Sequence, residues 1–182
     1  MSFVTPPSPA LKSLDKEGRV IHIGSFSKSL FPGLRLGYMV GSRKFIREAR
    51  ALRAAVLRHP PGHVQRTAAY FMSLGHYDAL IKRTARALAV RRQVMSDAIQ
   101  AHGLQIAGKG KGGSSFWMRA PDGIDSSALT ETLMAEGVLI EPGSAFFPEA
   151  DKPTEYYRLA YSSIQKDRIP EGIARIAAAI GT

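Results

Sequence analysis

The feature that most constrains this chain is a polar loop set between two short apolar runs. Val20-Ile21-His22-Ile23 precedes it and Leu36-Gly37-Tyr38-Met39-Val40 follows it. Each run is short, partly β-branched and bounded by glycine, the pattern of a buried strand. Between them lie Ser25-Phe26-Ser27-Lys28-Ser29-Leu30-Phe31-Pro32-Gly33-Leu34-Arg35, with three hydroxyls, one lysine and one arginine. The turn pair Pro32-Gly33 closes the loop. A lysine at the end of a buried strand, with no carboxylate in its loop, suits attack on a carbonyl. Burial and a neighbouring cation both favour the neutral amine that such attack needs. On spacing alone a lysine in a serine-rich loop is more often simply solvated. The functional reading therefore requires Lys28 to be sheltered beside an anion-sized hollow shared with Arg35.

The run from Ser25 to Tyr38, Ser-Phe-Ser-Lys-Ser-Leu-Phe-Pro-Gly-Leu-Arg-Leu-Gly-Tyr, resembles the cofactor-lysine segment of fold-type-I aminotransferases, which use pyridoxal 5'-phosphate (PLP). It is most similar to the aminotransferase-like domain of MocR-type regulators of the GntR superfamily, and to aminoadipate and kynurenine aminotransferases. The resemblance implies an α/β fold of the PLP-dependent transferase type, the type of aspartate aminotransferase. It also implies that Lys28 forms the Schiff base with PLP. Once displaced by substrate, its amine would shuttle a proton between the substrate α-carbon and the cofactor. Arg35 is implied as the grip on the PLP phosphate, where a planar guanidinium makes two parallel charge-assisted bonds. Ser25 and Ser27 are implied as hydroxyl donors to the same phosphate.

Further along, Tyr156-Tyr157-Arg158-Leu159-Ala160-Tyr161-Ser162 alternates as a strand, with Tyr157, Leu159 and Tyr161 on one face and Arg158 on the other. By itself, a mid-strand arginine is an exposed cross-strand partner. The string Arg-Leu-Ala-Tyr-Ser-Ser resembles the family segment whose arginine clamps the substrate α-carboxylate, so Arg158 is the implied substrate-binding residue. Pro142 to Phe147 resembles the family's active-site rim loop.

The resemblance runs from about residue 10 to the end. It implies that residues 1–75 are the C-terminal remnant of the large PLP-binding domain, and that 76–182 are the linking helix and the small α+β domain. No residue matches the family's upstream glycine-rich helix start, stacking aromatic, asparagine or ring-nitrogen aspartate. PLP is an effective electron sink only while a carboxylate keeps its ring nitrogen protonated. The chain is therefore expected to be the C-terminal half of a larger protein, with negligible transaminase activity alone. The implied function of the whole is transfer of an amino group between an amino acid and a 2-oxo acid. The alternative is an effector-sensing domain of a MocR-type regulator, binding PLP without turnover. The full-length form is expected to be a homodimer in the cytoplasm, reaching DNA only through an upstream domain outside this chain.

Composition fits a globular chain, with 45% apolar and 22% charged residues. There are no cysteines, hence no disulfide or thiolate zinc site, and the five histidines show no metal spacing. No apolar run approaches the ~18 residues of a membrane span. Residues 2–9 read as an extended, proline-rich start. Helices are expected from about Phe45 to Val56, Val64 to Leu74 and Tyr77 to Ala101, and another follows the capping residue Asp125. Leu104 to Ile106 and Ser115 to Met118 read as strands of a hairpin around Gly108 to Gly113. That loop fits a loose Gly-x-Gly-x-x-Gly pattern, but no helix follows it as a dinucleotide site requires. Val138-Leu139-Ile140 reads as a strand, and Ile169, Ile173, Ile176 and Ile180 as the buried stripe of a last helix.

Charge is concentrated in residues 43–92, where twelve Lys/Arg face two acids, Glu48 and Asp78. The preferred reading is a solvated helix face, or one that meets acidic surface on another part of the protein. Nucleic acid is the alternative, although no aromatic stacking platform or recognisable DNA-reading motif lies within the stretch.

Overall fold

The computed structural model describes residues 8–108, 110, 112–148 and 154–181, which form two compact units, 8–84 and 85–181. Most of the proline-rich start, along with Lys109 and Lys111 of the glycine loop, lies outside the described residues.

The first unit opens with a single helical turn, α1 (Leu11–Leu14). The Asp15 carboxylate then organises the turn that follows. It accepts from Lys12 Nζ at 2.6 Å and from the backbone N–H groups of Arg19 at 3.0 Å and Val20 at 3.1 Å. These donors, Lys12 foremost, hold the carboxyl well below the usual aspartate range, against a smaller raising effect of burial. A depressed carboxyl contributes stability above the unfolded aspartate value, and that contribution is lost as pH falls through the lower folded value. In an NMR titration, Asp15 should therefore still be ionised well below about pH 3.9, the ordinary aspartate value. Protonation of Asp15 near that value would show that the turn is not held this way.

Strands β1 (His22–Ser25) and β2 (Gly37–Val40) pair antiparallel, with Ile23 opposite Met39 and Gly24 opposite Tyr38. The Tyr38 ring lies over Gly24, where an added Cβ would meet it at 2.2 Å. The expected burial of these strands is not found. β2 is exposed throughout, and Ile23 is 72% exposed. The reason is topological, because among the described residues this sheet has only two strands.

Helix α2 (Arg43–Val56) begins at Ser42, whose hydroxyl accepts the Phe45 N–H. Its predicted apolar stripe is present but unburied, with Leu52 69% and Val56 70% exposed. Helix α3 (Gly62–Ser73) follows the Pro60-Pro61 stop, and Gly75 at φ 75° separates it from α4 (His76–Ala101). The described part of α4 contributes to both units, whose division falls after Thr84.

The second unit is built on a four-stranded antiparallel sheet of order β3-β4-β6-β5. Its strands are β3 (Gln105–Ile106), β4 (Ser115–Arg119), β5 (Glu141–Pro142) and β6 (Tyr156–Ala160). The expected hairpin around the glycine loop is present, with Ile106 opposite Met118. One core joins Met95 and Ile99 of α4, Phe116 and Met118 of β4, Leu129 and Leu133 of α5 (Ser126–Ala135), Tyr157 and Leu159 of β6, and α6 (Ile169–Ala179). The alternation of β6 holds as expected, as does the stripe Ile169, Ile173, Ile176 and Ile180. Asp125 caps α5 by accepting the Ser127 N–H at 3.3 Å.

The strand expected at Val138 to Ile140 is displaced. Only Glu141 and Pro142 pair with β6, and Leu139 is 76% exposed. Pro142 lacks an N–H and is tolerated because β5 is an edge. No helix among the described residues is long and apolar enough to cross a membrane.

Tyr157 is fully buried and its hydroxyl has no partner among the described residues. Burial pushes its ionisation up to about 12. Removing a buried hydroxyl that lacks a partner also removes its desolvation cost. Tyr157→Phe is therefore expected to be neutral or to stabilise by up to about 1–2 kcal/mol in denaturant unfolding. A clear destabilisation would reveal a partner for the hydroxyl.

Candidate functional site

In the first unit the loop between β1 and β2 is fixed by its own backbone. The Phe26 N–H donates to Leu36 O at 3.0 Å, closing the loop at its base. Ser29 and Leu30 N–H groups donate to Phe26 O at 3.2 and 2.8 Å, forming a tight turn around Lys28. The Phe26 ring packs between Tyr38 and Tyr77 at centroid distances of 5.4 and 6.0 Å. Pro32–Leu34 form one turn of 3-10 helix, and buried Leu34 pins it.

Arg35 then takes a left-handed conformation, φ 47° and ψ 36°. A residue with a Cβ pays roughly 1–2 kcal/mol for that conformation. Ser25 Oγ accepts the Ser27 N–H at 3.2 Å, so the two serines are locked together. Ser29, which the sequence reading did not assign, has a buried hydroxyl with no partner among the described residues.

Ser25, Ser27, Lys28 and Arg35 thus share one ordered loop. The structure does not shelter the lysine, however. Lys28 and Arg35 are both exposed. Among the described residues nothing covers the loop's open side, so the shelter that the lysine reading requires has to come from outside them.

Arg158 lies in the second unit, on β6. Its guanidinium bonds the Glu141 carboxylate, its cross-strand neighbour on β5, so the plain cross-strand reading holds. The guanidinium carbon also sits 5.5 Å from the centroid of the Phe146 ring. Arg158 Nε is buried and has no partner among the described residues. Together with Arg92, Phe116, Trp117 and Phe146, Arg158 lines a hollow of about 410 Å³. Arg92 stacks over Phe116 at 4.5 Å and donates to Gly110 O at 2.5 Å.

The aromatic wall continues with Trp117 stacked on Tyr156 at 5.9 Å and edge-on to Phe146 at 5.4 Å. A pocket with two guanidiniums among aromatic faces can take a planar anion such as a carboxylate. The sequence reading missed Glu141, Arg92 and Trp117. Their roles depend on strand register and on contacts between elements, which no local motif carries.

The rim is held by a polar knot. Buried Ser126 Oγ accepts the Gly143 N–H at 3.1 Å, and Asp125 Oδ1 accepts the Thr154 N–H at 3.2 Å. The 3-10 turn Gly143–Phe146 starts from that knot and carries Phe146 to the pocket.

The donor set on the β1–β2 loop fits PLP. It offers an amine for an aldehyde, with a guanidinium and hydroxyls for a phosphate, and the unpartnered Ser29 hydroxyl adds a further donor. The comparisons agree with that chemistry. The family described as Aminotransferase class I and II matches residues 2–176. The chain is 62% identical, over 99% of its length, to the HTH-type transcriptional regulator TauR of Rhodobacter capsulatus, of which it covers 37%. It is 27% identical, over 95% of its length, to the probable rhizopine catabolism regulatory protein MocR of Rhizobium meliloti, of which it covers 35%.

The crystal structure of Pyrococcus horikoshii kynurenine aminotransferase, in complex with PMP, superposes over 99% of this chain with a TM-score of 0.90 and 33% identity. The chain spans 45% of that structure, so it corresponds to less than half of each of these relatives. The fold is that of PLP-dependent aminotransferases of the aspartate aminotransferase type, as expected from the sequence. By its matched length and by the cofactor that the family implies, this chain belongs to the class I and II aminotransferase family.

Proposed function

We propose that this chain carries the cofactor-anchoring and carboxylate-binding residues of an aminotransferase-type site, with Lys28 as the tethering amine. The observation that supports it is the ordered β1–β2 loop, which presents one amine, one guanidinium and paired serines with no carboxylate among them. When bound, PLP supplies the electron sink that makes the α-hydrogen of an amino acid acidic. Lys28 Nζ would hold the cofactor through its aldehyde, and its amine would move the proton at the substrate α-carbon. Arg35 binds the phosphate through its fork, and Ser25 and Ser27 donate their hydroxyls to it. Arg158 binds the α-carboxylate. Glu141 holds the guanidinium from β5 and the Phe146 face covers it, so the fork is oriented before a ligand arrives. The whole protein would act on amino acids and 2-oxo acids as a cytoplasmic homodimer.

A second reading is favoured by the high identity to TauR. In it the same residues bind PLP and an amino compound as the sensing module of a MocR-type regulator, and DNA is reached through a separate domain. Reading the coding sequence upstream of Met1 separates the two. An in-frame winged-helix domain assigns the sensing role, and a continuous aminotransferase large domain assigns the enzyme. The shared anchoring role is tested by borohydride reduction after PLP addition, with peptide mass mapping. The expected pyridoxyl mass is on the peptide containing Lys28, and a label spread evenly over the nine lysines refutes it.

A further inference from the structure

We propose that the arginine face of α2 binds the phosphate backbone of duplex DNA, a contact made by this chain itself and independent of the PLP reading. α2 carries Arg43, Lys44, Arg47, Arg50 and Arg53 against a single acid, Glu48. All five basic side chains are exposed, and among the described residues none is in an ion pair. Arg43, Arg47 and Arg50 line one open hollow of about 450 Å³ with Gly41 and Ile46. Their spacing of four and three residues puts them on one stripe about 10 Å long. The same periodicity places the apolar residues Phe45, Ala49, Leu52 and Val56 on the opposite side of the helix.

Three features favour duplex DNA over the alternatives. Like charges three and four residues apart destabilise a helix that is only solvated, yet α2 keeps Arg43 and Arg47, Lys44 and Arg47, Arg47 and Arg50, and Arg50 and Arg53 at those spacings. An acidic protein partner would be met by a surface with an apolar centre and a charged rim, whereas on α2 the exposed apolar residues Leu52 and Val56 lie on the side away from the cations and only Ile46 stands among them. Four of the five cations are arginines, whose planar fork matches phosphate geometry better than lysine does. A duplex offers about one negative charge per 1.7 Å of its length, enough to serve every cation on the stripe. The positive end of the α2 dipole lies at Arg43 and adds to the attraction. Such binding would be independent of base sequence, because phosphate contacts position a protein without reading bases.

The test is fluorescence anisotropy of a short labelled duplex of mixed sequence with the whole chain, between about 50 and 200 mM salt. The expected result is binding that weakens steeply with salt. The variant Arg43→Gln/Arg47→Gln/Arg50→Gln should bind at least about tenfold more weakly at the lower salt. The magnitude of its log–log salt slope should shrink by roughly 2–3, near 0.9 for each lost contact. Glutamine keeps helix propensity, so far-UV circular dichroism should not change. If helix content does fall, the single Arg47→Gln carries the test, with a slope smaller by about 1.

A charge-matched control, Lys16→Gln/Lys166→Gln/Arg168→Gln, should stay within about twofold of the parent, because those cations lie outside the stripe. The proposal is overturned if the parent does not bind at low salt, or if both triple variants weaken equally. It is also overturned if the α2 variant retains DNA affinity and instead abolishes self-association seen by sedimentation, which would assign the face to an acidic surface on a second copy.

Discussion

Replacing Lys28 with alanine is expected to lower the borohydride-fixed pyridoxyl label on the chain by more than about tenfold. The chain has nine lysines, and any exposed amine condenses weakly with an aldehyde. Selectivity for Lys28 therefore has to come from its neighbours, chiefly the Arg35 guanidinium on the same loop. Pyridoxal, which lacks the phosphate, isolates that contribution. PLP should label Lys28 in preference to pyridoxal, and removing the guanidinium should erase the preference. Arg35→Gly is the informative variant, because Arg35 sits at φ 47° and glycine accepts that backbone without strain. Any loss of label then reports the guanidinium and not a distorted loop. Equal labelling of Lys28 by PLP and pyridoxal in the parent chain would remove Arg35 from the site.

The second large effect concerns the rim of the Arg158 pocket. A Cβ added at Gly143 would lie 2.2 Å from Tyr156 O and 2.9 Å from Tyr156 C. Those are backbone atoms of β6, and they cannot swing aside as a side-chain tip would. Gly143→Ala should therefore separate β5 from β6 and break the N–H bond to Ser126, lowering stability by about 3 kcal/mol or more. Trp117 is the chain's one tryptophan and stands 5.4 Å from Phe146, so its fluorescence reports both unfolding and the rim. Gly172→Ala is the contrasting control. It lies in α6 with nothing within 4 Å of the added Cβ, and should stabilise by about 0.5–1 kcal/mol. A wild-type midpoint for Gly143→Ala would show that the edge strand is not held as described.

The second unit was largely legible from sequence because its own residues bury one another. Tyr157, Leu159 and Tyr161 alternate, and Ile169, Ile173 and Ile176 recur at helical spacing, against partners within the same hundred residues. The first unit was legible only as elements. Val20 to Ile23 and Leu36 to Val40 read as strands, and strands β1 and β2 overlap those runs, but their apolar composition records what they could be covered by, not whether a cover is present, and their pairing with each other came only from the structure. Lys28 is exposed among the described residues for the same reason, since the enclosure of a loop is not a property of the loop.

Val138 to Ile140 shows a different limit. An apolar run gives strand propensity but no register, and the ladder began just past the run, at Glu141. Register is also what paired Glu141 with Arg158. The motif around Arg158 therefore located the arginine, whereas its carboxylate partner emerged only from the fold.

The two-stranded sheet has a physical consequence for handling the chain. Among the described residues neither outer edge of that sheet is paired to a further strand, and Ile23, Met39 and Val40 stand open on it, which makes it a template for strand addition by other molecules. What keeps copies apart is mutual repulsion, from a formal charge of +10 per chain. That repulsion is screened beyond about 8 Å at physiological ionic strength. Raising the salt is therefore expected to favour association between copies of the chain.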